Sequence, residues 1–373
     1  MKRILIIASS TGNTAPGKVF SKYISLLKQN DFMQIDVISN DFDLDATHIK
    51  LKNIHPRVRK LSVSFLGYDI FDYLNARKII NNFDQKYDVV FSMMSANHFF
   101  PLYFGYLYKK KFKDVHWINY SVDAIPAPHG WGLSRSYSNG LIKMIKKFMA
   151  KVDHLYFSNN VMLNYQLKIL GGNFKGSSGV LYTLPHNDFI NLPYKKNNRP
   201  FTLLYTGGIY QARKVDQLLL ALEKLVLEGI DIRLNFVGTN PEAVNLKVVN
   251  QETASKVNFF GYTSDLLPFY QEADLLIDID AAIENDVFIS SKFFNYLTIN
   301  RSILCITGSN SPVNQLVRDK NISNIFFSRH YSDDIARVLF DIYSNSPMLI
   351  NRNVEIISNK YILNVLNFEG WSE

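Results

Sequence analysis

The chain has 373 residues, of which 47% are apolar and 20% are charged. This balance excludes an intrinsically disordered chain and predicts a globular protein, and because a single core stops growing at roughly 250 to 300 residues, we expect two domains. The formal net charge of +8 suits nucleic acid, anionic lipid or a nucleotide ligand, so only its distribution along the chain can decide between them.

The N-terminus opens on a strand and then a loop rich in hydroxyl groups and glycine. The apolar run ILIIA precedes SSTGNT at residues 9–14, which resembles the phosphate loop of flavodoxins. Backbone N–H groups in such a turn form an anion site with the helix that follows. Flavodoxins begin that helix almost directly after the threonine, whereas Pro16 and Gly17 are expected to delay it here until Lys18. A phosphate-like ligand is therefore predicted, and FMN is disfavoured.

Short apolar runs and amphipathic runs alternate along both halves. The first half continues with a helix over 18–29 and the apolar runs QIDVIS, YDVVFSMM, VHWINYS and HLYFSN. The second half repeats the order with FTLLYTGG, a helix over 215–228, IRLNFVG, VNFFGY, ADLLIDI and RSILCITG. Strands and helices at this spacing predict parallel sheets covered by helices on both faces. We therefore predict an α/β protein with two doubly wound domains.

A polar segment that contains prolines separates the two halves. Residues 184–200, LPHNDFINLPYKKNNRP, have the composition of a linker. We assign residues 1–190 to a first domain, 191–350 to a second domain and 351–373 to a C-terminal segment that packs back on the first domain. Cys305, in the apolar run SILCITG, is expected to be a buried, inert thiol.

Four motifs follow one another in the second half. They are LLYTGGIYQARKVDQLLLALEKL, LNFVGTNPE, VNFFGYTSDLLPFYQEADLLIDI and SSKFFNYLTINRSILCITG. Their order resembles the C-terminal domain of GT-B glycosyltransferases, in particular glycosyltransferase family 4, the glycosyl transferases group 1. The resemblance implies the GT-B fold, in which two Rossmann-like domains face each other across a cleft and a C-terminal helix crosses back to the first domain.

In that family these motifs bind the donor, a nucleotide-diphosphate sugar. The resemblance implies donor-binding roles for Gly207, Gly208, Gly238, Glu284, Lys292 and Asn295. Glycines after a strand let the backbone approach a ligand. Arg213 and Lys214 are predicted to act in catalysis, because two cations can neutralise a departing diphosphate without a metal. The structural alternatives are a solvated basic pair at 213–214 and a surface lysine at 292.

The chain departs from the family pattern at several positions. The family usually has two glutamates eight residues apart, where this chain has Val287 and Asn295. Asparagine can still bind a ribose hydroxyl, and Glu284 is the replacement we expect for the first carboxylate. The family often has arginine at position 208, which leaves Arg213 as the expected substitute.

The first domain offers polar residues for the acceptor side. Many family members have a histidine after the fifth strand, where this chain has the loop SVDAIPAP. Asp123 in that loop is the predicted catalytic contact to donor sugar or acceptor, although a turn or cap role is the alternative. His129, together with Gly12 and Gly17 as flexible points of the opening loop, completes the predicted acceptor side.

Two DxD patterns are the rival signal for a metal-dependent enzyme. DFDLD contributes Asp41, Asp43 and Asp45, and DID contributes Asp278 and Asp280. Such pairs hold a divalent cation in glycosyltransferases of the other large fold, but tandem doubly wound domains argue against that fold. The histidines have no ligand-like spacing, so we expect no metal.

Positive charge is concentrated in two stretches of the first half. They contain Lys109, Lys110, Lys111 and Lys113, and then Lys143, Lys146, Lys147 and Lys151. Cationic amphipathic helices lie on anionic membrane surfaces, so an anionic membrane is a predicted partner. The alternative for the second stretch is a helix that packs its apolar side on the sheet. No recognisable nucleic-acid-binding module accompanies the lysines, so no nucleic acid is expected.

The sequence therefore predicts a glycosyltransferase that moves a hexose from a nucleotide-diphosphate sugar to a lipid-linked saccharide of a surface polysaccharide. The resemblance implies retention of anomeric configuration and no cofactor besides the nucleotide-sugar co-substrate. With no signal-peptide pattern and no apolar run of ~20 residues, a cytoplasmic location is expected, peripheral on the inner face of the membrane. The alternatives are a GT-B sugar-nucleotide epimerase and a noncatalytic protein that binds nucleotide sugars or polyanions.

Overall fold

The protein is described by a computed structural model over residues 2–12, 14–29, 33–39, 47–48, 54–96, 98–185, 191–193, 199–209, 212–345, 350, 352 and 354–366. The chain forms two compact units. The first domain comprises Met1–His186 and Glu355–Glu373, and the second domain comprises Asn187–Val354. Asp41, Asp43 and Asp45 lie outside the described residues.

The elements of the first domain up to its last strand are β1 (Lys2–Ala8), α1 (Ala15–Lys28), β2 (Met33–Ser39), β3 (Thr47–His48), α2 (Pro56–Leu66), α3 (Ile70–Asn81), β4 (Val89–Met94), α4 (Phe100–Lys111), β5 (His116–Ser121), α5 (Arg135–Lys147), β6 (His154–Phe157), α6 (Asn160–Leu170) and β7 (Ser177–Val180). Those of the second domain are β8 (Phe201–Thr206), α7 (Asp216–Leu227), β9 (Ile232–Val237), α8 (Gln251–Ser255), β10 (Val257–Phe260), α9 (Leu267–Glu272), β11 (Leu275–Ile279), α10 (Ser291–Leu297), β12 (Ser302–Ile306), α11 (Pro312–Asp319), β13 (Ile325–Ser328) and α12 (Ser332–Asn345). The C-terminal segment adds α13 (Asn359–Val365). Short 3-10 turns occupy Met149–Lys151, Gly171–Asn173, Pro241–Ala243, Leu246–Val248 and Glu355–Ile357.

Each domain is built on one parallel sheet. The described strands of the first domain pair in the order β3-β2-β1-β4-β5-β6-β7, and those of the second in the order β10-β9-β8-β11-β12-β13. All these neighbours run parallel. The order reverses between β1 and β4 and between β8 and β11, and doubly wound sheets bind ligands beside such a reversal. The predicted pair of doubly wound domains is thus confirmed.

The C-terminal helix belongs to the core of the first domain. Ile362 and Leu366 are buried against residues of β1 and α1. The Tyr156 hydroxyl, on β6, donates a hydrogen bond of 2.8 Å to the carbonyl of Val365. The last described helix of the chain therefore returns to the domain with which the chain begins.

Helix α1 starts earlier than the sequence predicts. It begins at Ala15 instead of Lys18, and the Thr14 side chain caps it by accepting a 3.1 Å hydrogen bond from the Gly17 N–H. The predicted delay was wrong because proline is tolerated in the first helical turn, where its missing N–H has no partner to lose. A side chain at Gly17 would collide with the Gly12 carbonyl and the Ser10 hydroxyl, so glycine lets the helix pack closely on the loop.

The lysine-rich helix α5 packs its apolar side into the first domain. The side chains of Leu141, Met144, Ile145, Phe148 and Met149 are buried. The structural alternative therefore describes its apolar face, and Lys143, Lys146 and Lys147 are exposed. In the other stretch, Lys109 binds Asp153 at 2.7 Å and Lys111 binds Asp84 at 3.1 Å.

Two further observations concern the predicted buried thiol and the possibility of a membrane-spanning helix. Cys305 is buried, and burial raises the pKa of its thiol, which fits the predicted inert side chain. Among the described residues, no helix combines the length and the apolar character that crossing a membrane would require.

Replacing Ile362 tests the contribution of the C-terminal helix to the first domain. Because Ile362 is buried, Ile362→Ala should lower the free energy of unfolding by about 2–5 kcal/mol through lost apolar contacts and a cavity. The control is Asn364→Ala, on the exposed side of the same helix, which should change it by less than about 0.5 kcal/mol. Urea denaturation followed by circular dichroism measures both, and equal effects would contradict the packing described.

Candidate functional site

Glycines end two neighbouring strands of the second sheet at its carboxyl edge. Gly207 follows β8 with φ of +91°, and Gly238 follows β9 with φ of +75°. The Gly207 N–H donates to the Val237 carbonyl at 2.7 Å, and the Thr239 hydroxyl donates to the Gly207 carbonyl at 2.6 Å. Side chains rarely tolerate this backbone conformation, so glycine is required at both turns. The turns lie on one side of the strand-order reversal, where a ligand is expected.

Lys292 reaches the end of β8 from helix α10. Its Nζ atom donates a 3.0 Å hydrogen bond to the Tyr205 hydroxyl and lies 4.5 Å from the centre of the Tyr205 ring. The same hydroxyl donates to the Gly208 carbonyl at 3.0 Å. A Cβ atom at Gly207 would lie 3.7 Å from Cε of Lys292. The lysine, the tyrosine and the glycine turn therefore form one contiguous group.

Arg213 joins this group from the loop before α7. Burial disfavours its charged form, but a hydrogen bond to Tyr205 and the carboxylates of Asp278 and Asp280 raise the pKa of its guanidinium. Arg213 is thus a partly buried cation that shares Tyr205 with Lys292. Lys214, in contrast, is exposed. The two predicted catalytic cations of the second domain therefore differ in surroundings, and Arg213 is the one held in the group.

Two buried carboxylates lie at the carboxyl end of β11. Asp278 accepts a 2.6 Å hydrogen bond from the Ser290 hydroxyl, and Asp280 accepts one of 2.8 Å from the Thr307 hydroxyl. Burial, reinforced by the charge of Asp278, raises the pKa of the Asp280 carboxyl. Within the described residues, no three His, Cys, Asp or Glu side chains are grouped as a metal would require.

A cavity of about 160 Å³ opens beside Asp280, at the carboxyl ends of β11 and β12. Its lining consists of Asp280, Ala281, residues 283–286 and residues 307–312. Glu284 is part of this lining, whereas Val287 is buried. Asn295 lies on α10, one turn beyond Lys292. The lining offers carboxylate, amide and hydroxyl groups, which are the partners that sugar hydroxyls require.

The predicted residues of the first domain lie on its loops. The Asp123 carboxylate accepts a 2.9 Å hydrogen bond from the Ala96 N–H, which ties the loop after β5 to the loop after β4. Burial raises the pKa of this carboxyl, and the Ala96 N–H partly offsets the effect. His129 is exposed in the same loop, and Gly12 donates its N–H to the Ser10 hydroxyl at 3.3 Å. This hydrogen bond fits the alternative in which Asp123 has a turn or cap role.

Tyr205 was missed as a member of the site, and Asp278 was considered only as part of a DxD pattern for a metal. Both lie within apolar strands, where the sequence pattern predicts core positions. A polar group near the carboxyl end of an apolar strand is the signal that could have identified both. Their contacts show that the site depends on the strands as well as on the loops.

Comparison with known proteins supports the resemblance in the second domain. Residues 200–278 match the family model of glycosyl transferases group 1. This match includes Tyr205, Gly207, Arg213 and Gly238, whereas Lys292 lies beyond it. No curated protein matches the sequence.

Solved structures share the fold over nearly the whole chain. Sucrose-phosphate synthase from Thermosynechococcus elongatus aligns with a TM-score of 0.66 and 11% identity, covering 99% of this chain and 96% of that one. The lipopolysaccharide outer core galactosyltransferase WaaB in its apo form aligns with a TM-score of 0.65 and 12% identity, covering 98% of this chain and 99% of that one. A UDP-N-acetylglucosamine 2-epimerase aligns with a TM-score of 0.55 and 10% identity, covering 100% of this chain and 98% of that one. These likenesses confirm the GT-B fold, and the family match confirms the prediction of a glycosyltransferase.

The buried Asp280 carboxyl gives the second domain a pH-dependent stability. A raised pKa in the folded state stabilises the fold at acidic pH, and this contribution is lost as the pH rises through that pKa. From about pH 5 to about pH 9, the wild type should therefore lose more stability than Asp280→Asn, by ~1.4 kcal/mol for each pH unit between pH 5 and the raised pKa. Urea denaturation across this range measures the difference.

The exposed Asp319 supplies the matched control for this measurement. Asp319→Asn removes the same type of charge from the same domain and should leave the pH slope of the wild type unchanged. A wild type and an Asp280→Asn variant with parallel pH profiles would show that Asp280 is ionised without cost in the folded chain.

Proposed function

We propose that the second domain binds a nucleotide-diphosphate sugar and that the enzyme transfers its hexose to a saccharide acceptor bound by the first domain. The observation that carries this proposal is the group of Arg213, Lys292 and Tyr205 beside the turn at Gly207 and Gly208. It places two cations next to backbone that has no side chains, at the carboxyl edge of a doubly wound sheet. A diphosphate needs those features in a binding site.

The charges of the group favour an anionic ligand. Arg213 and Lys292 both contact the Tyr205 hydroxyl, and two cations so close together repel each other. The carboxylate of Asp278 offsets part of this repulsion for Arg213. A bound diphosphate would add further negative charge and would gain most from the cations as it departs. The cations therefore supply the charge stabilisation that a metal supplies in other transferases.

The sugar of the donor is assigned to the cavity beside Asp280. Glu284 belongs to its lining, together with hydroxyl groups from residues 307–312. Since the carboxylate and hydroxyl groups can bind sugar hydroxyls, this cavity suits the hexose better than the nucleobase. The assignment keeps Glu284 as the replacement for the first glutamate of the family.

The proposed acceptor is a lipid-linked saccharide of a surface polysaccharide, contacted by Asp123, His129 and the loop at Gly12. The similarity to WaaB, which is named as a lipopolysaccharide outer core galactosyltransferase, supports an acceptor of this class. Such an acceptor places the reaction at the inner face of the cytoplasmic membrane. As in the family that the chain resembles, the transfer is proposed to retain the anomeric configuration.

A sugar-nucleotide epimerase is the second candidate, because an epimerase shares the fold over the whole chain. An epimerase would change the sugar without an acceptor, whereas a transferase releases nucleoside diphosphate when the acceptor is present. A noncatalytic binding protein would leave the donor intact under both conditions.

Substitution of the two cations tests the proposed donor site. Arg213→Ala and Lys292→Ala should each lower the rate of nucleoside diphosphate release by roughly 10²–10³-fold, because each removes charge stabilisation from the leaving group. The control is Lys320→Ala, an exposed lysine of the same domain, which should retain the wild-type rate. Release is measured by a coupled assay with each common nucleotide sugar and an extract of lipid-linked saccharides. Unchanged rates in both variants would contradict the site.

Chelation tests the proposal of metal-free transfer. Since Arg213 and Lys292 supply the positive charge, excess EDTA should leave the rate within about twofold of the untreated enzyme. The anomeric proton of the product, followed by NMR, should show the configuration of the donor. A rate abolished by EDTA and restored by Mn²⁺ would show that the diphosphate is held by a metal.

A further inference from the structure

Helix α2 exposes large apolar side chains. Val58, Leu61 and Phe65 are 44%, 56% and 80% exposed, respectively. Their spacing of three and four residues places them on one side of the helix. Leu66, at the end of the helix, is 52% exposed. These four side chains are named the α2 face.

The inner side of α2 is fixed by packing and by ion pairs, so the α2 face cannot turn inward. Val63 is buried, and a side chain at Gly140 of α5 would collide with the Val63 carbonyl. Arg59 forms ion pairs with the buried carboxylates of Asp69, at 2.6 Å, and Asp72. Rolling the helix would break these buried pairs and leave uncompensated charges. The outward position of Phe65 is therefore a consequence of the fold.

Basic side chains lie on α2 itself and on the neighbouring helix α5. Helices α2 and α5 contain no acidic residue, and apart from Arg59, which is paired with Asp69 and Asp72, their basic residues are Arg57, Lys60, Arg135, Lys143, Lys146 and Lys147. The packing of Gly67 on Lys143 brings α5 to the end of α2, since a Cβ at Gly67 would lie 3.0 Å from the Cβ of Lys143. Lys147 lies 4.8 Å above the ring of Tyr68, which follows α2.

We propose that the α2 face and the outward lysines of α5 dock the first domain on an anionic lipid surface. Large apolar side chains on a convex helix with lysines beside them can enter the headgroup region while the lysines bind lipid phosphates. A second copy of the chain is a poor occupant, because two such faces would bring like charges together. The proposal goes beyond the transfer reaction, and it gives the proposed lipid-linked acceptor a surface on which the enzyme meets it.

The surface differs from that predicted by the lysine stretches alone. The apolar side of α5 is buried, so α5 contributes its polar and basic side chains, and the apolar contact comes from α2. The helix α2 does not belong to either predicted lysine stretch. The apolar residues that enter the lipid are therefore predicted to be Leu61 and Phe65.

Vesicle sedimentation tests the docking surface without any step of sugar transfer. The full chain should bind vesicles made of equal parts phosphatidylglycerol and phosphatidylcholine, and should not bind phosphatidylcholine alone. Phe65→Ser and Lys146→Glu should each weaken this binding roughly tenfold or more, through lost apolar insertion and reversed charge. The matched controls are two substitutions in the second domain, Leu227→Ser and Lys320→Glu. Leu227 is 69% exposed in the wild type. Both should bind as the wild type does.

A tryptophan at position 65 reports directly on insertion. In Phe65→Trp, brominated phosphatidylglycerol should quench fluorescence beyond the wild-type level, whereas Leu227→Trp should add no quenching. Absent vesicle binding, or equal binding by wild type and Phe65→Ser, would overturn the proposal. So would a wild-type dimer that becomes monomeric in Phe65→Ser, measured by light scattering, because the face would then be a protein interface. Nucleoside diphosphate release measured on the same variants keeps a failure of docking distinct from a failure of transfer.

Discussion

The left-handed turn at Gly207 is the constraint on which the candidate site depends. Its φ of +91° ends β8 and directs the chain away from the sheet, while its N–H remains bonded to Val237 of the neighbouring strand. A Cβ atom at Gly207 would make only an ordinary van der Waals contact of 3.7 Å with Cε of Lys292, whose amine reaches Tyr205. Tyr205 in turn holds the Gly208 carbonyl. Glycine is thus favoured by the backbone conformation of this turn, and Tyr205 joins the turn to the cation.

Buried polar contacts connect this group of residues to the neighbouring strand β11. Ser290 caps helix α10 by accepting the N–H of Phe293 at 3.3 Å, and its hydroxyl donates to Asp278 on β11. The start of α10, and with it Lys292, is therefore tied to the sheet through Asp278. Because the Asp278 carboxylate also favours the charged form of Arg213, it positions one cation and stabilises the other. This dependence explains polar side chains within a strand that is otherwise apolar.

The sequence predicted the architecture better than it predicted the site. Alternating apolar and amphipathic runs record local periodicity, so the two doubly wound domains and the glycine turns followed from the pattern. The contact of Tyr205 with Lys292 joins residues that are 87 positions apart, and no local pattern encodes it. The start of α1 was placed too late because proline was taken as a barrier instead of a first-turn residue.

Helices α2 and α5 also show what local sequence patterns cannot predict. In α5, the stripe expected to meet either a membrane or the sheet packs inside the domain, whereas Phe65 of α2 lies outside. Both helices have apolar residues at helical spacing, so periodicity alone cannot tell a buried face from an exposed one. The difference arises from Gly140 and Arg59, which fix how the two helices pack.

The measurement that tests the central claim most directly is saturation-transfer NMR on the full chain. The ligands are UDP, GDP, dTDP and CMP, their common sugar conjugates, and FMN. The account predicts binding of one nucleoside diphosphate and its sugar conjugate, lost in Arg213→Ala and Lys292→Ala and retained in Lys320→Ala. Binding of FMN alone, unaffected by these substitutions, would contradict it and would assign the phosphate site to the loop at residues 9–14.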